Sequence, residues 1–180
     1  MQLRSVIMDE AAVNRSLARI THELIERNGG AEGLVLVGVK RRGLPLAEHI
    51  AENILKFEGV SVPVGYIDIT LYRDDLTEIS PLPDAGDTCF PCDINDKCVV
   101  LVDDVIYTGR TARAAIEAVF ALGRPKAVRL VSLVDRGHRE MPIRPDYIGK
   151  SIPTSRQEKV SVVMEGPEED CGVFIVSEAE

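Results

Sequence analysis

The chemistry of this chain is concentrated in residues 99–111. Four consecutive apolar residues, Val99, Val100, Leu101 and Val102, run into two adjacent carboxylates, Asp103 and Asp104. A short turn of Val105, Ile106 and Tyr107 follows, then Thr108, Gly109, Arg110 and Thr111, and then a helical pattern. A buried strand with an acidic end and a small-residue loop opening a helix together suit a sugar phosphate. The backbone N–H groups of such a loop, with the helix N-terminus behind them, favour a phosphate dianion. Carboxylates at the strand end accept hydrogen bonds from sugar hydroxyls.

A second group of residues complements the first. Lys40, Arg41 and Arg42 are three consecutive cations between Gly38 and Gly43, directly after an apolar run. Glycines let the backbone approach closely and arginine binds phosphate oxygens in pairs, so this loop suits a diphosphate. Other phosphate signatures are absent. No glycine pair leads into the Lys-Ser/Thr of a Walker loop, and the dinucleotide Gly-x-Gly-x-x-Gly follows none of the expected strands. Cys89 and Cys92 form a Cys-x-x-Cys pair in a segment rich in Pro, Gly and Asp. Without further ligands or a helix to lower a thiol pKa, they read as loop thiols.

The elements that must position these loops follow from periodicity. Val13, Leu17, Ile20 and Leu24 recur at helical spacing between Asp9, which can cap the helix, and Gly29-Gly30, which end it. Residues 33–39 are a continuously apolar strand, 44–57 a helix, and 60–71 a β-branched strand with Pro63 at its start. Residues 97–103 and 127–134 read as further strands around a helix at 110–122, and 160–164 and 172–177 as two closing strands. Strands alternating with helices predict an α/β fold, a doubly wound parallel sheet whose ligands sit at the carboxyl ends of the strands. The loops 38–43, 105–110 and 135–140 should therefore meet in one cleft. Residues 72–96 carry three prolines and little periodicity, which predicts a flexible loop or lid.

At 180 residues, 45% hydrophobic and 28% charged, one globular domain is expected. No run approaches the ~18 apolar residues of a spanning helix, and the first residues lack a signal-peptide core, so a cytoplasmic protein without membrane partners is expected. The net charge of −8 is unevenly spread. Residues 165–180 hold six acids and no Lys or Arg, whereas residues 124–159 hold nine Lys or Arg against four acids. An acidic sum hides a basic region.

Residues 99–111 resemble the diphosphoribose-binding motif of the type I phosphoribosyltransferases in length, order and strand–loop–helix context. The resemblance implies that Asp103 and Asp104 hold the ribose hydroxyls and that residues 108–111 hold the 5′-phosphate, with Val105, Ile106 and Tyr107 in the same loop. It implies that Lys40, Arg41 and Arg42 hold the diphosphate, with Arg41 and Arg42 stabilising its departure, and that Mg²⁺ rides mainly on the substrate. A mobile loop would close over the cleft, Arg73 at its root reaching the diphosphate. Members acting on 6-oxopurines carry a carboxylate three residues after the second acid, where this chain has Tyr107.

Four further blocks, residues 67–76, 104–111, 134–144 and 147–155, are similar to the pyrimidine-operon attenuation regulators that are also uracil phosphoribosyltransferases. This similarity spans about residues 6–164. It implies conversion of uracil and phosphoribosyl diphosphate to UMP and diphosphate. It also implies a hood over the base, built from about residues 135–160 and the N-terminal residues, with base contacts from Arg136 and the backbone near Val160. The implied second activity is UMP- or UTP-dependent binding of the operon's mRNA leader. Arg15, Arg19 and His22 lie at i, i+4 and i+7 on the first helix, opposite its apolar stripe, and can follow an RNA backbone. Arg139, Arg144 and Lys150 match the same RNA face. A homodimer or homotetramer is implied. The alternative is a salvage phosphoribosyltransferase for purines or another nucleobase, without RNA binding.

Overall fold

The computed structural model describes residues 2–69, 88–164, 166 and 171–177. Among the described residues, eight strands and three helices follow one another as β1 (Gln2–Asp9), α1 (Glu10–Asn28), β2 (Leu34–Val39), α2 (Gly43–Glu58), β3 (Val64–Ile67), β4 (Cys98–Ile106), α3 (Arg110–Leu122), β5 (Ala127–Asp135), β6 (Tyr147–Ser151), β7 (Glu158–Val163) and β8 (Gly172–Ser177). Five strands form a parallel sheet in the order β3-β2-β4-β5-β6. A separate antiparallel sheet has the order β1-β8-β7.

The sheet's alternation sorts its side chains onto two faces. Leu34, Leu36, Val100, Val102, Val131 and Leu133 join the buried faces of α1 and α2. Val35, Val37, Val39, Val99 and Leu101 point the other way, against the Ala112, Ala115, Ala118 and Val119 face of α3. Both faces of the sheet are therefore covered, which is why β2 is buried at every position. Small alanines let α3 lie close to the sheet. The second sheet attaches to the α1–α2 side, where Met8, Val162 and Val173 enter that core.

The expected caps are present. The Asp9 carboxylate accepts from the Ala12 N–H at 2.7 Å, and Gly29 ends α1 in the left-handed conformation at φ 73°. Several expectations need correction. β4 runs three residues past Asp103, because the backbone beside Ser132, Val134 and Asp135 of β5 keeps its ladder to Ile106. β3 is limited to Val64–Ile67, starting just after Pro63, and Thr70 and Leu71 lie outside the described residues. The expected loop at 72–96 is fixed over residues 88–96: Cys89 exchanges two 2.9 Å backbone hydrogen bonds with Tyr66, and Ile94 is buried in the α3-side core. Its residues 72–87 lie outside the described ones.

Two strands were not expected at all. β1 pairs with β8, and β6 forms an edge of the main sheet between Pro145 and Pro153. The segment 135–160 contributes to both sheets. Part of it is the fifth parallel strand, and the separate sheet is assembled from both ends of the chain.

Candidate active site

The carboxyl ends of β2, β4, β5 and β6 lie at one edge of the sheet, and the expected loops meet there. The basic loop is anchored by two glycines. A Cβ on Gly38 would run into the backbone of Leu44, and one on Gly43 into the Val102 carbonyl. Gly43 therefore lets the diphosphate-type loop touch the β4 backbone one residue before Asp103. The Lys40 N–H donates to the Ile67 carbonyl at 2.9 Å, its ammonium lies 4.1 Å from the Tyr66 ring centroid, and the Lys40–Arg41 peptide is cis. Arg41 and Arg42 are exposed, and an Arg42 nitrogen stands 3.6 Å from an Asp104 oxygen. This pair joins the basic loop to the acidic strand end.

Both acids are fixed locally. Asp103 accepts the Asp104 N–H at 3.0 Å, and Asp104 accepts the Val105 N–H at 2.9 Å. Burial, and then the neighbouring Asp104 charge, push the Asp103 carboxyl well above the usual carboxylate range. Beyond them, Gly109 caps α3 at φ 91° without a side-chain cap hydrogen bond of its own, and the first helical turn contains no acid. The α3 N-terminus is electrostatically prepared for an anion. Thr108, Arg110 and Thr111 surround it, the Arg110 N–H donating to the Thr108 hydroxyl at 3.3 Å.

The loop after β5 folds over this one. Glu140 and Met141 donate backbone N–H groups to the Thr108 carbonyl at 2.8 and 2.9 Å. Glu140 also binds the Arg110 guanidinium at 3.0 Å. Arg139 donates to the Tyr107 carbonyl and, at 2.7 Å, to Asp135. Arg139, expected on an RNA face, has a side chain only 19% exposed that ties two site loops together.

A cavity of about 450 Å³ opens beside this phosphate-type loop, lined by Asp135, Arg136, His138, Ile152 and Thr154 among others. Arg136 is buried, its guanidinium 4.1 Å from the Tyr107 ring centroid, and its Nη2 donates to the Ser155 carbonyl at 3.0 Å. His138 meets the Tyr107 ring edge-on at 5.8 Å. Val160 lies on β7, packed against the α1–α2 core, and is not among the residues lining this cavity.

The α1 stripe is placed as expected, with Arg15, Arg19 and His22 exposed opposite the buried Val13, Leu17, Ile20 and Leu24. Its members differ in freedom. Arg19 is held by Glu23 at 2.7 Å and by the carbonyls of Ile148 and Gly149 at 2.8 and 2.9 Å. His22 stacks on Phe57 with centroids 4.2 Å apart. Lys150 donates to the Ile7 carbonyl at 3.1 Å, while Arg144 is exposed. Arg73 lies outside the described residues.

Sequence reasoning missed Ser132, His138, Glu140 and Thr154. Only Ser132 carried a signal, a hydroxyl inside an apolar strand. Fully buried, it accepts the Ile106 N–H at 3.1 Å and donates to the Val134 carbonyl at 2.9 Å.

Comparison with known proteins agrees with this geometry. A family model described as a phosphoribosyl transferase domain matches residues 6–167. The bifunctional protein PyrR of Clostridium kluyveri is 60% identical, covering 90% of this chain and 91% of its own. That of Pelotomaculum thermopropionicum is 54% identical over 98% of each chain. Among solved structures, a hypoxanthine-guanine phosphoribosyltransferase of Bacillus anthracis superposes with a TM-score of 0.72 at 19% identity, covering 99% of this chain and 100% of that one. The Trypanosoma cruzi hypoxanthine phosphoribosyltransferase gives 0.73 at 16%, over 98% of both. These two likenesses concern the fold. No helix among the described residues is long and apolar enough to cross a membrane. With a basic loop, a paired-acid strand end and an open helix N-terminus on one sheet edge, the chain belongs to the phosphoribosyl transferase domain family, in its bifunctional PyrR branch.

Proposed function

We propose that this chain transfers the phosphoribosyl group of phosphoribosyl diphosphate to uracil, and that UMP or UTP in the same site governs binding of a pyrimidine-operon mRNA leader. The observation that carries the enzymatic half is the contact of the Gly43 backbone with β4 beside Asp103 and Asp104. It sets a diphosphate-type loop against a ribose-type strand end, with the open α3 N-terminus one loop away.

In the reaction, a ring nitrogen of uracil forms a bond to the ribose anomeric carbon as the bond from that carbon to diphosphate breaks. The uracil N–H proton is lost, and the diphosphate leaves with the bonding electrons. Arg41 and Arg42, with Lys40, face the charge growing on the diphosphate. Asp103 and Asp104 orient the ribose hydroxyls and offset positive charge on the sugar. Backbone and side-chain groups of residues 108–111 hold the 5′-phosphate. Mg²⁺ would fit this arrangement, since two adjacent carboxylates, one disfavoured as an anion by burial and then by its neighbour, favour a substrate carrying a dication. Its contribution is neutralisation of the diphosphate.

The base occupies the cavity beside Arg136 in this reading. Tyr107 supplies a ring packed on that guanidinium where a carboxylate would serve a 6-oxopurine, which favours a pyrimidine. The whole chain acts as one phosphoribosyltransferase unit with the antiparallel sheet as its hood. For RNA, exposed Arg15, Arg19, His22, Arg144 and Lys150 form the contact face, working as a homodimer or homotetramer. A gel-shift titration of a pyrimidine-operon leader tests this half. Affinity should rise with UMP and fall in Arg15→Ala; RNA affinity indifferent to both leaves an enzyme without the regulatory activity.

A further inference from the structure

Arg136 is held at the cavity in one orientation, and the groups that fix it come from Thr154 and Ser155. Thr154 lies just after β6 and lines the cavity. Its Oγ1 accepts from Arg136 Nε at 3.2 Å and donates to the Arg136 carbonyl at 3.0 Å. Its own carbonyl pairs with His138 Nε2 at 2.6 Å. One threonine thus holds the side chain and backbone of Arg136 together with the ring of His138, and all three residues line the cavity.

The guanidinium is then fully specified. Nε is committed to Thr154, Nη2 to the Ser155 carbonyl, and one face of the plane to the Tyr107 ring. Nη1 is the guanidinium nitrogen with no hydrogen-bond partner among the described residues. In a residue only 7% exposed that lines the cavity, a guanidinium N–H without a partner is a donor available to an acceptor there. We infer that Thr154 is a positioning residue for base recognition: it locks Arg136 so that Nη1 donates to a carbonyl oxygen of the nucleobase. This rests on the proposed placement of the base beside Arg136.

The consequence is a split between the two halves of the ligand. Contacts to ribose and phosphate come from β4 and α3 and do not pass through Thr154. Thr154→Val keeps the shape and removes the hydroxyl. It should raise KM for uracil about tenfold, the scale of a hydrogen bond to a charged group, with kcat and KM for phosphoribosyl diphosphate within about twofold. Thr154→Ser restores the hydroxyl and should restore the uracil KM. Calorimetry gives a readout independent of turnover: Thr154→Val should weaken UMP by the same factor and leave ribose 5-phosphate unchanged.

Unchanged UMP affinity in Thr154→Val would overturn the inference, as would equal losses for UMP and ribose 5-phosphate, or failure of Thr154→Ser to rescue. If Thr154→Val does not fold, UMP binding by Thr154→Ser and Thr154→Ala decides: Ser near wild type and Ala weakened supports the assignment, and equality of the two overturns it. A wild-type protein that makes IMP rather than UMP would instead contradict the uracil reading. The Thr154 comparison is then made with IMP in place of UMP and is judged by the same outcomes.

Discussion

At the scale of single residues, the account depends on two carboxylates with different surroundings. Asp104 faces Arg42 and retains contact with the cleft, whereas Asp103 is crowded by burial and by Asp104 itself. Asp104→Asn removes a charged acceptor of ribose hydroxyls without emptying any core space. It should lower kcat/KM by roughly 10- to 100-fold, the range for a hydrogen bond to a charged group, with the thermal midpoint preserved. Steady-state kinetics beside a melting curve checks this, and an unchanged rate removes Asp104 from the site. Asp103 predicts a pH effect with a definite sign. Its folded-state affinity for the proton exceeds that of the unfolded chain, whose carboxyl has the ordinary value of 3.8. The stability it contributes is therefore complete below that value and is lost as pH rises through the raised folded value. Ligand-free protein should lose stability relative to Asp103→Asn across that rise, and parallel melting profiles for the two proteins would contradict the assignment. The adjacency of these acids is legible in the sequence because it is covalent. The pairing of Arg139 with Asp135 and the Tyr107 carbonyl is not, because residue type does not reveal which of several surfaces a cation will meet. For that reason the bracing of two site loops by Arg139 has no mark in the sequence.

At the scale of elements, legibility follows the strength of local periodicity. Helix α1 announces its apolar stripe, its Asp9 cap and its Gly29 stop, and all three are present. Removing the cap with Asp9→Ala should cost about 1 kcal/mol, measurable by denaturant titration with no change in the cleft. Strand β6 announces nothing. Its Tyr147-Ile148-Gly149-Lys150-Ser151 run is short, carries a glycine and lies between prolines, and it becomes a strand because β5 offers an unpaired edge. Gly149 is required there, since a Cβ would meet the Leu133 carbonyl. Gly43 has a similar constraint with a functional consequence, because its missing side chain admits the Val102 carbonyl. Gly43→Ala should displace the basic loop from the acidic strand end, lowering turnover by more than tenfold and stability by about 1–3 kcal/mol. A fully active Gly43→Ala enzyme would show that the two loops need not touch.

At the scale of the whole molecule, the parallel sheet is readable from alternating strands and helices, but the second sheet is not. β1 and β8 come from opposite ends of the chain, and such long-range pairing leaves no local mark in either segment. The net charge of −8 is equally uninformative until placed: Arg15, Arg19 and His22 share one exposed helix face, while six acids lie at 165–180. If that face follows an RNA backbone, affinity for the leader should fall roughly tenfold or more between about 50 and about 200 mM salt. Salt-independent binding would point to a different surface. The central claim remains the transfer to a pyrimidine on this sheet edge. It is tested most directly by incubating the intact protein with phosphoribosyl diphosphate and Mg²⁺, offering uracil and hypoxanthine in competition, and quantifying the nucleotides formed. UMP with one equivalent of diphosphate and little IMP is expected; absence of UMP, or IMP in excess, would overturn the assignment of this site to a pyrimidine.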